Sequence, residues 1–503
     1  MVKYALTELI KSLNTEEVRN FKMYISRTVL KKGDKKILAL FEAIAQDKYD
    51  EYSDKLIALL FEKVNKNAFY RLKNRLKETI EHSLLMLHRT KDERFRINNN
   101  ISLAQICIYK LRYEQAFIYL EKAEKEAIKG EYFSLLNLIY DHIIELSLQN
   151  HKIEAEKYVE KRKVNNEKYQ VSQQLNAVLA IINNQLFASN FAGKDENIVG
   201  QLNEIIKKWE FTEIYQNSVK IQFQIHSCVR DTLLQKKDFK VLENYLIESL
   251  TNFEQKKLFN KANFQRKIVL LSWIINTLTK NRKFEKALQH TQKLHETLLA
   301  FDSLFYERYI WIYYQSQIIN YSFLNKNRQV VELLQKLKKN EKLKKQSFYH
   351  LFVYLNLATT YYSMNQLDNA LENLNEIVNT DIYNSLSINW KVNLLIVEVI
   401  FLLEKEEFNF AFYKINSLKR NLRKELKKEA YNREKQFINI LQNIAQLPAA
   451  FRNAKALKKI NLFIEESPPF ELGSNEAINY CIWLQSKLKR RNYYELILET
   501  VKA

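Results

Sequence analysis

Side chains able to do chemistry are scattered along this chain, and none falls at a spacing that builds a recognisable site. The eight histidines include His290 and His295, five residues apart and so poorly aligned on one helix face. His226 and Cys228 are two apart and point to different sides of a helix. The zinc-hydrolase signature HExxH is absent. A phosphate cradle needs close backbone approach, and therefore glycine; neither GxGxxG nor GxxxxGK[ST] occurs. The nucleophile elbow GxSxG is missing as well. Carboxylates are abundant, but no two are set apart as an acid–base pair. These absences predict a protein that is not an enzyme and that carries no metal and no cofactor.

Binding is the better-supported expectation. Lys and Arg number 79 against 58 Asp and Glu, a formal charge of +21. A polyanionic partner would explain that excess. So would codon bias, because Lys, Asn, Ile and Tyr are enriched together. Two segments concentrate the charge, Lys419 to Lys435 and Gln335 to Gln346. A third candidate is a helix expected over Ala68–Leu87, with Arg71, Arg75 and Glu78 on one face and Lys73 and Lys77 beside it. Its other face, Phe69, Leu72, Leu76, Ile80 and Leu84, is apolar and predicts packing inward. Arg71, Lys73, Arg75, Lys77, Arg423 and Lys427 are the candidate phosphate contacts.

The elements that must position these groups are helices. The 503 residues include only 5 glycines and 3 prolines. Tight hairpins need glycine, so a sheet-rich fold is disfavoured. All three prolines, Pro448, Pro468 and Pro469, lie near the end, leaving nothing before them that forbids a helix. Three widely spaced cysteines, Cys107, Cys228 and Cys481, form no disulfide framework. With no stretch of the ~20 apolar residues a membrane helix needs and no signal-like start, a cytoplasmic protein is expected.

Self-similarity organises the chain. In Tyr354 to Asn379, Leu357, Ala358 and Tyr361 lie on one face of a first helix. Leu367, Ala370, Leu374 and Ile377 recur at spacings of 3, 4 and 3 on a second. Related patterns centre on positions 116, 155, 198, 242, 287, 331, 370 and 411, at steps of 39 to 45 residues. The unit at Tyr354–Asn379 resembles a tetratricopeptide repeat, although the closing proline is missing and the period exceeds the usual ~34 residues. An all-α solenoid of about eight antiparallel helix pairs is expected over 98–446. A different α-solenoid of similar period fits as well.

The resemblance implies a concave groove lined by the first helix of each pair. Mapped onto this sequence, the groove positions are Asn276, Tyr313, Ser316, Asn320, Phe352, Leu355, Thr359 and Tyr362. Amides and rings suit an extended peptide or a partner helix. Ser272 and Ser316 stand where carboxylate-clamping relatives carry Lys, which argues against a C-terminal carboxylate as the ligand. A protein-interaction scaffold or adaptor is therefore the expected function, with a nucleic-acid-associated transcriptional regulator as the alternative.

Residues 1–97 do not follow the period. They read as helices over Lys3–Leu13, Thr15–Leu30, Lys35–Gln46, Ser53–Val64 and Ala68–Leu87, with Thr15 as an N-cap. This module resembles the opening segment of uncharacterised bacterial helical-repeat proteins. Residues 447–503 read as C-terminal capping helices. One of them opens at Pro448, and another follows Ser474 as its N-cap.

Overall fold

The protein is all-α. Its structure, a computed structural model, describes residues 5–28, 34–46, 54–61, 66–89, 92–189, 218–235, 237–300, 303, 305–340, 343–345, 348–378, 383, 386–428, 431–447, 451, 453–467, 470 and 476–502. Among the described residues there are 23 α-helices and no strand. From Glu93 onward each helix packs mainly on its neighbours in sequence, the arrangement of a solenoid, whereas before it Thr15–Thr28 and Asp34–Ala45 both pack on Lys66–His88. The chain divides into two compact units, Met1–Gln173 and Gln174–Ala503.

The first unit opens with α1 (Ala5–Ser12), α2 (Thr15–Thr28), α3 (Asp34–Ala45), α4 (Asp54–Leu60) and α5 (Lys66–His88). Their buried core runs from Leu6 to Ile80 and includes the Phe21–Phe41 ring pair. The cap of α2 is Asn14 rather than Thr15. Glu17 N–H donates to Asn14 Oδ1 at 2.9 Å while Asn14 N–H donates to Glu17 Oε2 at 2.8 Å, a reciprocal capping box. Glu17 also meets His88 Nε2 at 2.8 Å, tying α2 to the end of α5. On α5, Phe69, Leu72, Leu76 and Ile80 are buried as their spacing predicts. The unit continues with α6 (Glu93–Tyr109), α7 (Tyr113–Gly130), α8 (Phe133–Ser147) and the long α9 (Ala155–Ser189), which runs past the division between the units.

The second unit contains α10 (Val219–Gln235), α11 (Phe239–Gln255), α12 (Phe264–Lys280), α13 (Phe284–Leu299), α14 (Tyr306–Phe323), α15 (Asn327–Lys338), α16 (Tyr349–Ser363), α17 (Leu367–Val378), α18 (Ile388–Glu404) and α19 (Phe408–Asn421). It closes with α20 (Asn432–Gln446), α21 (Ala454–Glu466), α22 (Tyr480–Lys489) and α23 (Tyr493–Lys502).

One turn recurs within the helix pairs. Leu111, Lys237, Arg282, Asn325, Asn365 and Glu406 all have φ between 54 and 61°, in the left-handed region. In each, the next residue's N–H reaches back to the carbonyl five residues earlier, at 2.8 to 3.0 Å, the bond of a Schellman cap. Five residues after each turn lies a side chain with no exposure: Ala116, Leu242, Ala287, Val330, Ala370 and Ala411. Buried residues follow four and seven positions later, as in Leu374 and Ile377 or Ile415 and Leu418. This is the seam on which each second helix packs.

The turns correct the sequence register in two places. Val330, not position 331, holds the seam in α15. In α9 Tyr158 is buried, whereas Ala155 is half-buried and Val159 exposed, because the turn before it lacks the left-handed residue. Position 198 lies outside the described residues. At the C-terminus, α21 starts at Ala454 behind an Asn453 cap. Asn479 caps α22, and a break at left-handed Arg490 separates α22 from α23. Pro448 and Ser474 lie outside the described residues.

Candidate functional site

The final helix, α23, lies across the turn edge of three earlier helix pairs. Asn492 donates to Asn365 Oδ1 at 3.2 Å, at the turn between α16 and α17. Tyr493 packs on Tyr362, with ring centroids 5.5 Å apart. Tyr494 Oη reaches the Ser322 carbonyl and Asn327 Oδ1, at the turn between α14 and α15. Val501 is buried with Phe284, at the turn between α12 and α13, and Ile497, Phe323, Leu324 and Phe470 pack around them. Inward residues of α23 recur at helical spacing and leave Glu495 and Glu499 exposed, the pattern of an amphipathic helix.

A pocket of about 200 Å³ lies between this helix and the stack. Its walls are Ser322 and Phe323 of α14, Thr359, Thr360, Tyr362 and Ser363 of α16, Phe470 and Glu476–Asn479, and Tyr493, Tyr494 and Ile497 of α23. The hydroxyls of Thr359, Thr360 and Ser363 donate back to carbonyls of their own helix at 3.1, 2.6 and 2.9 Å, leaving oxygen lone pairs as acceptors. Glu476 pairs with Arg433. Burial raises the Glu476 carboxyl above its ordinary value against the opposing pull of that guanidinium. The described lining offers shape and hydrogen-bond acceptors.

Behind the pocket, Glu404 gathers three donors. Trp483 Nε1 donates to it at 2.7 Å and Tyr362 Oη at 3.0 Å, and Lys487 Nζ completes the set. Burial first, and the Glu404 charge second, push the Tyr362 hydroxyl well above the ordinary tyrosine range. One carboxylate thus joins α16, α18 and α22. Elsewhere in the chain, Glu124 pairs with Lys161 at 2.7 Å and Glu243 with Lys283 at 2.7 Å, each joining one pair's second helix to the next.

The eight expected groove residues do not share one surface. Asn276 is exposed; Tyr313, Phe352 and Thr359 are half-buried; Ser316, Asn320, Leu355 and Tyr362 are buried. Asn320, with 0% exposure, donates to the Ser316 carbonyl at 2.7 Å and accepts from Thr279 Oγ1 at 3.1 Å. Ser316 Oγ lies 2.6 Å from Thr291 Oγ1. The physical reason is register. Asn276 lies six residues before its turn at Arg282, and Asn320 only five before Asn325. One residue is ~100° of rotation on a helix, so Ile319 and Thr359 are the counterparts of Asn276. Tyr313 stacks on His295 at 4.5 Å, and Phe352 meets Trp311 edge-on at 5.2 Å.

Of the candidate phosphate contacts, Arg71, Arg75, Lys77 and Arg423 are exposed. Lys73 is buried, with Nζ 6.0 Å from the Phe69 and Tyr70 rings, so it belongs to the packing of α5. The Lys427 side chain lies outside the described residues. Among the described residues, no three His, Cys, Asp or Glu side chains gather as metal ligands, and no helix is long and apolar enough to cross a membrane. No protein-family model matches the chain, and no curated protein matches it.

Sequence reading alone missed Tyr493, Tyr494, Ile497 and Val501 as a docking face. Their amphipathic spacing is visible in the sequence, but it does not say which surface they cover.

Proposed function

We propose that this chain is a non-enzymatic scaffold or adaptor of tetratricopeptide-like build, working in the cytoplasm, whose helix stack holds a peptide or partner helix. The observation that carries the reading is α23. A short amphipathic helix already lies across successive turns of the stack, seated on Phe284, Phe323, Leu324 and Tyr362. Apolar anchors on such a helix, received by a prepared ledge, are how helix-in-groove recognition works. The accessible positions Asn276, Ile319, Thr359 and Phe352 supply further amide, hydroxyl and ring surface on the first helices. The recurrent small or branched seam residue after each turn supports the repeat assignment, in units longer than the usual ~34 residues.

The test uses the 503-residue chain carrying Ile497→Asp and Val501→Asp, which weakens the hold of α23 on its ledge. A labelled synthetic peptide of residues 490–503 is then titrated by fluorescence anisotropy. The variant is expected to bind the peptide in the micromolar range, wild type at least ~10-fold more weakly because its own helix competes. Adding Phe323→Ala is expected to weaken capture. Failure of the peptide to bind the released ledge would count against a helix-holding stack.

A further inference from the structure

Helix α19 and the turn after it carry a surface that the packing of the stack does not account for. Phe410 is 47% exposed and Tyr413 61%, although the same helix buries Ala411, Ile415 and Leu418 inward. Phe410, Tyr413, Ser417 and Arg420 recur at spacings of 3, 4 and 3 and so share one face, about 15 Å long. The two rings are parallel within 4°, with centroids 6.4 Å apart, and Lys414 Nζ lies 5.4 Å from the Phe410 centroid.

Charge continues that face. Between residues 408 and 428 the chain has seven Lys and Arg and one carboxylate, Glu425. Lys414 pairs with Glu398 at 2.7 Å, and Lys419 bonds to Asn439 and Gln442. Arg420, Arg423, Lys424 and Lys428 are exposed and pair with no carboxylate among the described residues. Cations at a helix C-terminus are favoured by its dipole, which accounts for Lys419 and Arg420. It does not account for two exposed rings one to three turns earlier, nor for cations beyond the helix end.

We propose that this face binds single-stranded nucleic acid. Rings offer π-faces on which unpaired bases stack, and the cations beside them take the phosphates. A duplex hides its base faces and would use only the cations; an acidic peptide would do the same. The paired rings therefore favour a single strand over both.

The experiment measures fluorescence anisotropy of labelled oligo-dT and oligo-U, each twelve nucleotides long, with the full chain. Four phosphate contacts predict a slope of log affinity on log salt of about −3, hence an about 50-fold loss between 50 and 200 mM salt. Binding of either oligomer with that dependence supports the proposal. Phe410→Ala with Tyr413→Ala is expected to weaken binding about 10-fold or more with the slope unchanged, whereas Tyr413→Phe retains it. Arg420→Gln with Arg423→Gln is expected to reduce the slope by about 1.4. All four positions are exposed, and circular dichroism verifies that the variants fold. Two results would overturn the proposal. One is no binding of either oligomer at 50 mM salt. The other is ring variants that bind like wild type while polyglutamate competes fully, which would mark a site for acidic chains held by charge alone.

Discussion

His226 shows what a single buried group contributes in this chain. It sits on α10 among Tyr245 and Phe253, with Nδ1 2.5 Å from the Tyr245 hydroxyl and 3.3 Å from Ser249 Oγ. Burial depresses its pKa to about 4, from an ordinary 6.5. The unfolded chain therefore takes up a proton that the native imidazole refuses. Its contribution to stability is full above the unfolded value and is lost as pH falls toward the folded one, on the order of 3 kcal/mol in all. The thermal midpoint of wild type is expected to fall more steeply between pH 7 and 5 than that of His226→Gln, which keeps a hydrogen-bonding group for Tyr245. Parallel pH profiles would mean that the imidazole already titrates normally in the fold. His290 is shifted in the same direction, chiefly by burial, and remains in both proteins as a common background.

At the scale of elements, the recurring turn is made without glycine. Arg282 sits at φ 61°, where a residue with a Cβ costs roughly 1–2 kcal/mol relative to the right-handed region. Glycine removes that cost but adds entropy to the unfolded chain. Arg282→Gly is therefore expected to stabilise the protein by about 0.5–1 kcal/mol, read as a rise in thermal midpoint. The same change at Lys293, exposed in the middle of α13, is expected to lower stability by about 1 kcal/mol. These turns also explain how far the candidate site was legible. Seam residues such as Ala287, Ala370 and Ala411 stand out by size and spacing, because close helix approach demands small or branched side chains there. Groove positions carry no such constraint. A one-residue error at position 331 therefore passes unnoticed in the sequence, while a parallel slip places Asn320, expected at a surface, in the packed interior.

For the molecule as a whole, division into two compact units means that damage in one stays local. Leu76 is fully buried in the α1–α5 core. Leu76→Ala is expected to cost about 2–5 kcal/mol there. Hydrogen exchange followed by mass spectrometry is expected to show faster exchange in α1–α5 with α16–α20 unchanged. Uniform loss of protection along the chain would instead indicate one cooperative unit. For the same reason denaturant unfolding is not expected to be two-state, and a single unfolding free energy would not describe this protein.

Composition and periodicity by themselves determined the all-α class, the helix-pair solenoid and the five helices α1–α5. Those properties follow from local physics: scarce glycine and proline, apolar residues at helical spacing, and polar breaks between them. Tertiary structure alone decided that α23 folds back over the turns at Asn365, Asn327 and Phe284, and that Glu404 joins α16, α18 and α22. It also decided which amides point inward. Such contacts, from Tyr362–Glu404 to Phe284–Val501, join residues separated by 42 to 217 positions, and the side chains involved have no pattern relative to one another along the chain. An amphipathic face announces that it will be covered; only the assembled stack says by what.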